Sequence, residues 1–205
     1  YDSPWNRKLG RVGKPHWRTG WVIDPEAGTA RNKHDHVVQI RPCLGLLGLP
    51  PNEPGHHPSF PPRSCGGNID CKELIAGTTL YLPVTVPNAL FSTGDGHAVQ
   101  GDGEVSGVAI ECPMELAELE FNLLPDLTLK NPRAKTPTGW LTLGFNEDLD
   151  EAMLDALEGM IDLMQELYGY KRAEALNLAS LVVDLRITQI VNGVRGVHAV
   201  LPDNS

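Results

Sequence analysis

The sequence predicts a mainly β fold with an α-helical insertion near residues 148–181, α+β overall. Three observations carry this. Short β-type runs broken by glycine, proline and Gly-Asp turns extend to about residue 145; apolar residues then recur at intervals of three and four; and alternation returns after residue 181.

From residue 1 to about 63 the chain is dense in Gly, Pro and aromatic residues, with short apolar runs at 37–40 and 44–49. This predicts loops joined by brief strands and no helix. The stretch from Pro50 to Pro62 holds five further proline and glycine residues between its ends and two adjacent histidines, His56 and His57, and reads as a long irregular connection. Loops of that length in compact domains are often functional or mobile. Runs at 79–86 and 105–110 have strand character and are separated by Gly-Asp turns. In 114–123, Leu116, Leu119 and Phe121 lie among Glu115, Glu118 and Glu120, which predicts a strand with one wet face; 138–145 reads the same way.

The period changes at Asn146. Leu149, Met153, Leu154, Leu157, Met160, Ile161, Met164 and Leu167 form one apolar stripe of a helix over 148–168, and its Met-rich face is core. Asn146 or Asp148 is the expected N-cap and Gly169 the terminator. Residues 171–181 predict a second helix, 182–191 a strand, Asn192-Gly193 a hairpin turn and 194–201 the returning strand.

With 205 residues, 41% of them hydrophobic and 21% charged, the chain can bury a core. A net charge of -9 opposes binding to a phosphate backbone, so nucleic acid is not an expected partner. No run approaches the roughly 18 apolar residues of a membrane helix, and no membrane partner is expected. Arg7, Lys8, Arg11, Lys14 and Arg18 precede no apolar stretch, so no signal peptide is expected. Four cysteines are thin for a disulfide scaffold, and the cytoplasm is the expected location. Cys43, Cys71 and Cys112 read as structural, and His34, His36, His56 and His57 as loop surface. The chain opens on Tyr1 rather than Met, and residues 1–21 read as though cut from something longer.

The chemistry concentrates in three runs: Cys65-Gly66-Gly67-Asn68-Ile69-Asp70, Gly94-Asp95-Gly96-His97 and Gly101-Asp102-Gly103-Glu104. A single Gly-Asp pair is ordinary turn chemistry, because an Asx turn needs nothing more. Clustered repeats that carry Asn, Asp, Glu and His beside glycine instead predict polar side chains held at tight turns, against which a ligand or metal can sit.

These runs resemble the signature block of the acetamidase/formamidase family, through Gly66-Gly67-Asn68-Ile69-Asp70, Gly77-Thr78-Thr79-Leu80-Tyr81-Leu82-Pro83-Val84 and the stretch from Ala89 to Val105. Asp184 to Gly193, with Gly196-Val197-His198, is similar to that family's C-terminus, and the likeness runs from about Arg41 to Leu201. The resemblance implies a β-sandwich, jelly-roll-like, hydrolysis of small linear amides of the formamide or acetamide type, homo-oligomers (dimer or higher) and a divalent metal in some members. It also implies that residues 1–205 are the C-terminal part of a single catalytic domain, with an N-terminal third before Tyr1 and a sheet edge left for it. Where the family has His-Gly-Gly-Asn, this chain has Cys65, which admits three readings: silent, a thiolate ligand that favours zinc, or a nucleophile.

In the metal-assisted reading, Asp70, Asp95 and His97 hold the cation, with zinc favoured and calcium or magnesium as alternatives. Glu104 moves the proton, Asn68 or the cation polarises the carbonyl, Asp102 joins the catalytic set and Glu111 is a further site residue. Asp70, Asp95, Asp102, Glu104 and His97 are expected to converge in one cleft. A Cys65-dependent covalent amidase or lactamase, and a non-catalytic β-sandwich binding or assembly module, are the alternatives.

Overall fold

The computed structural model describes residues 7–10, 12, 13 and 18–204. The readings made for residues 1–6, 11 and 14–17 therefore lie outside the described residues. Two compact units are present, Tyr1–Ile40 and Arg41–Ser205.

In the first unit β1 (Trp21–Asp24), β2 (Thr29–Asn32) and β3 (Val37–Gln39) form an antiparallel sheet in that order. The Asn32 side-chain oxygen accepts from the backbone N–H groups of His34 and His36, and Asp35 takes a positive φ of 60°, so an Asx turn closes the β2–β3 hairpin. Arg7 and Lys8 are helical, against the expectation of no helix before residue 63.

The second unit holds two antiparallel sheets. The smaller, in the order β5-β4-β7, is made by β4 (Cys43–Gly48), β5 (Gly66–Asn68) and β7 (Ser92–His97). The larger adds β6 (Thr79–Tyr81), β8 (Arg133–Thr136), β9 (Gly139–Asn146), β10 (Asp184–Gln189) and β11 (Arg195–Pro202), in the order β10-β11-β9-β8-β6. Between β9 and β10 lie α1 (Leu149–Tyr168) and α2 (Arg172–Val182).

Strand alternation divides the core. Val197, Ala199 and Leu201 of β11 face α1 and pack with Ala152, Ala156, Met160 and Met164. On the opposite face, Leu141 and Leu143 of β9 pack with Leu47, Ile69, Cys71 and Leu74. The layers are thus helix, large sheet, small sheet. The central strand of the small sheet and the segment after β5 are wedged against the large one.

The helices follow their local signals. Asp148 has extended backbone and accepts from the N–H groups of Asp150 and Glu151, while Gly169 at φ 71° ends α1 and donates to the Gln165 carbonyl. Glu174 accepts from the backbone N–H of Lys171 to open α2.

Three strand expectations need correction. Residues 114–123 form no strand, and Leu116, Phe121 and Leu123 are exposed. Alternation specifies two faces but supplies no hydrogen-bonded neighbour, and no described strand pairs with this run. Residues 105–110 open instead with a turn, in which the Gly107 N–H donates to the Glu104 carbonyl at 2.7 Å. Of 79–86 only Thr79–Tyr81 pairs, with β8; Pro83 and Pro87 lack the N–H groups that a ladder needs.

Candidate functional site

The small sheet assembles the site. In its register Leu46 of β4 lies opposite Asn68 of β5 on one side and Gly94 of β7 on the other, and Cys43 lies opposite His97. Asp95 and His97, two residues apart on β7, therefore share a face with Gly45 of β4. Asp70 follows the end of β5, and its N–H donates to the Gly45 carbonyl at 3.0 Å.

Gly45 is the floor of this arrangement. A Cβ there would lie 2.5 Å from Asp95 Oδ2, 2.6 Å from Asp70 Oδ1 and 2.8 Å from His97 Cε1. The missing side chain is what lets three polar groups from separate segments meet. One donor atom from each of Asp70, Asp95 and His97 lies within 4.8 Å of the others.

The backbone here is held away from its preferred regions. Asp70, Asp95 and Glu104 take φ of 53°, 62° and 42°, left-handed values that are rare for residues with a side chain. Each such residue costs on the order of 1–3 kcal/mol, and such strain gathers at functional sites.

Asp70 is buried and held by amides. Its Oδ2 accepts from Asn68 Nδ2 at 2.8 Å and from Asn192 Nδ2 at 3.2 Å, and its carbonyl accepts from Gln100 Nε2 at 2.6 Å. Gln189 locks the amides in turn, donating to the Asn68 carbonyl and accepting from Asn192. Burial, then the negative charge of Glu104, pushes the Asp70 carboxyl well above the usual carboxylate range. Burial also raises Glu104, whose negative charge is among those acting on Asp70.

His97 is fully enclosed, and its Nε2 lies 3.3 Å from Asp95 Oδ2 and 3.4 Å from Glu111 Oε2. Glu111 reaches it through an isolated antiparallel bridge between the two residues. Neither ring nitrogen makes a hydrogen bond, and Asp70 Oδ1 and Glu104 Oε2 are likewise buried without partners. Such orphaned atoms call for a compensating ligand. A divalent cation fits: carboxylate oxygen and imidazole nitrogen are its ligand types, and its charge offsets the crowded acids.

Four of the five residues expected to converge, Asp70, Asp95, His97 and Glu104, do so, with Glu111 at the rim. Asp102 does not join them. Its Oδ2 is 2.9 Å from Lys72 Nζ, and its charge acts on Glu73 and His198. Cys65 is buried just before β5, and burial raises its thiol pKa. It belongs to neither of the two groups of close potential ligands among the described residues.

Sequence reasoning missed Gly45, Gln100, Gln189 and Asn192. A lone glycine inside an apolar strand signals close approach of other groups, and that signal was available for Gly45. Asn192 read only as a turn residue, because its partner Asp70 is 122 positions away.

Residues 56–139, which include Asn68, Asp70, Asp95, His97, Glu104 and Glu111, match the acetamidase/formamidase family. The formamidase of Methylophilus methylotrophus is 50% identical over 48 residues, 23% of this chain and 12% of that protein. The acetamidase of Mycolicibacterium smegmatis is 48% identical over 48 residues, again 23% and 12%. Among solved structures, an acetamidase from Yersinia enterocolitica superposes with a TM-score of 0.79 at 26% identity, covering 90% of this chain and 55% of that one. A predicted acetamidase/formamidase from Thermoanaerobacter tengcongensis gives 0.76 at 30% identity, covering 86% and 58%. The chain thus spans a little over half the length of these solved relatives and about an eighth of the two enzymes is aligned. The segment that carries the buried acid and histidine cluster is thus similar to the acetamidase/formamidase family, and the fold that assembles it is shared with the solved acetamidases.

Proposed function

We propose that this chain carries the catalytic centre of a hydrolase that converts small linear amides, of the formamide or acetamide type, to carboxylate and ammonia by metal-assisted attack of water. The observation that carries the reading is the group of Asp70, Asp95 and His97 gathered over the bare backbone of Gly45, with the charge of Glu104 acting on Asp70. Asp70, Asp95 and His97 would hold the cation. A histidine nitrogen in the set favours zinc over calcium or magnesium, which prefer oxygen ligands. Bound there, a divalent ion supplies Lewis acidity and a water of lowered pKa.

The protein's own groups supply the proton path. Glu104, with a carboxyl pKa raised by burial, takes a proton from the attacking water and returns it to the departing nitrogen. Asn68, already donating to Asp70 Oδ2, serves with Asn192 to fix that carboxylate rather than to face the substrate carbonyl. Glu111 approaches the same His97 Nε2 as Asp95, at 3.4 Å, and helps to orient the ring. A covalent route through Cys65 has no exposed thiolate to begin from, since the residue is buried and its thiol pKa raised.

Four free cysteines support a reducing compartment such as the cytoplasm, and among the described residues no helix is long and apolar enough to cross a membrane.

The test is ammonia release from formamide and acetamide by the protein with zinc restored after chelation. Glu104→Gln keeps the shape but not the proton acceptor, so it should retain the metal and lose about 10²-fold or more in kcat. Full turnover in that variant would remove Glu104 as the base, and no turnover by the wild type on any small amide would remove the reading.

A further inference from the structure

We propose that Cys71, Glu73 and His198 form a second, wholly buried site for a single soft divalent cation such as zinc. Its argument is independent of the amide chemistry. Cys71 and Glu73 lie on the segment that follows β5, and His198 lies in the middle of β11, on the face away from α1. The three residues are 0%, 5% and 0% exposed, and one donor atom from each lies within 4.8 Å of the others.

Two of the donors have nothing else to do. Glu73 Oε2 and His198 Nε2 stand 4.0 Å apart, too far for a hydrogen bond, and each is buried without a partner. The rest of each side chain is held from outside. Thr188 Oγ1 is 2.8 Å from His198 Nδ1, which fixes the ring with Nε2 toward Cys71 and Glu73. Arg186 and Arg41 approach Glu73 Oε1, at 3.2 and 3.7 Å, and leave Oε2 free to face inward. Outer groups that orient the inner ligands in this way are characteristic of metal sites.

The ligand chemistry fits zinc. Thiolate, imidazole and carboxylate are its three protein ligand types, with bonds of about 2.0–2.3 Å, so the donors need to close in by about an ångström or less. On binding, the Cys71 S–H bond breaks, a sulfur–metal bond forms and the proton leaves to solvent, while neutral His198 gives its Nε2 lone pair and keeps Nδ1–H toward Thr188. The thiolate and the carboxylate together balance the charge of the ion. Asp70 and Cys71 are chain neighbours that belong to different groups, so the second ion would pin to β11 the turn on which Asp70 is presented.

The experiment measures metal content and the absorption spectrum of the protein loaded with zinc or with cobalt. Wild type should bind two zinc ions per chain; Cys71→Ser and His97→Ala should each bind one. The cobalt protein should show a thiolate-to-metal charge-transfer band in wild type, His97→Ala and Cys43→Ser, and none in Cys71→Ser. If Cys71→Ser fails to fold, the wild-type spectrum decides alone. A wild-type cobalt spectrum without the thiolate band, or a band that disappears in Cys43→Ser, overturns the proposal. Loss of metal in His97→Ala alone bears on the first site and leaves this one standing on its band.

Discussion

Asp70 and Glu104 bring two buried carboxyl groups face to face, each on a residue with positive φ, and burial raises the pKa of both. Without a cation this pair opposes folding at neutral pH. A carboxyl whose folded pKa lies above its unfolded value contributes stability that is complete below the unfolded pKa and is lost as pH rises through the folded one. For Asp70 that window runs from the ordinary value of 3.8 up to about 8. Asp70→Asn removes the titration while its amide oxygen still accepts from Asn68 and Asn192. The metal-free variant should therefore melt above metal-free wild type at pH 8 by at least about 3 °C, the shift of roughly 1 kcal/mol in a chain of this size, and should no longer bind metal at the first site. Thermal melts at pH 5 and pH 8 check it: a variant less stable than wild type at both would show that the buried carboxylate carries no penalty.

Gly45 admits no side chain. The nearest cluster atoms to a Cβ there, 2.5 to 2.8 Å away, belong to three different site residues, none of which is a long flexible side chain able to swing clear. Gly45→Ala should displace Asp70, Asp95 or His97 by enough to lower kcat/KM by about 10²-fold or more, since misplacement by about an ångström carries that effect. Metal content, amide turnover and circular dichroism on the same sample separate a displaced site from a lost fold; unchanged turnover would show that the cluster does not depend on this close approach.

How much of this was legible depends on the range of the interaction. The helix over 148–168 was readable because its stripe, its Asp148 cap and its Gly169 terminator are all local. Asp95, His97 and Glu104 were readable because each sits beside glycine, and Asp70 because it closes the run Gly66-Gly67-Asn68-Ile69-Asp70 in the same stretch. Asn192 and His198 enter only through strand register and contacts between distant segments, which one sequence does not display, while the lone glycine at 45 signals a close approach without saying which groups make it. Asp102 shares the Gly-Asp signature of Asp95, yet points to Lys72, because a turn motif specifies local backbone and not the direction its side chain takes across the sheet. Residues 114–123 fail as a strand for the reason that alternation needs a neighbour before it becomes a ladder.

Cys65 separates the two enzyme readings. If it were the nucleophile, its removal would lower kcat by about 10³-fold or more, as loss of a catalytic nucleophile does. It is buried, with a thiol pKa raised by desolvation, which favours a packing role over a nucleophile. Cys65→Ala should keep most of its turnover, and iodoacetamide should leave the folded wild type active; inactivation by either route would return the covalent mechanism.

Two glycines at the interface of α1 with β9 should respond to alanine with opposite signs. Gly144 of β9 lies directly beneath the helix, where a Cβ would meet the Ala152 carbonyl oxygen, and Ala156 N at 2.6 Å. Both are backbone atoms of α1, so the strand and helix must separate, and overpacking of this kind costs roughly 1–3 kcal/mol or more. Gly159 lies inside α1, and its nearest contact would be Thr142 Cβ at 3.4 Å, ordinary van der Waals distance. Alanine there contacts Thr142 without pressing on it and recovers the helix propensity that glycine forgoes, about 0.8–1.0 kcal/mol. Gly144→Ala should lower the melting temperature by several degrees, at about 2–4 °C per kcal/mol, and Gly159→Ala should raise it by a few. Urea denaturation of both variants gives the same two signs independently, and a stabilised Gly144→Ala would mean that α1 does not rest on the backbone of β9.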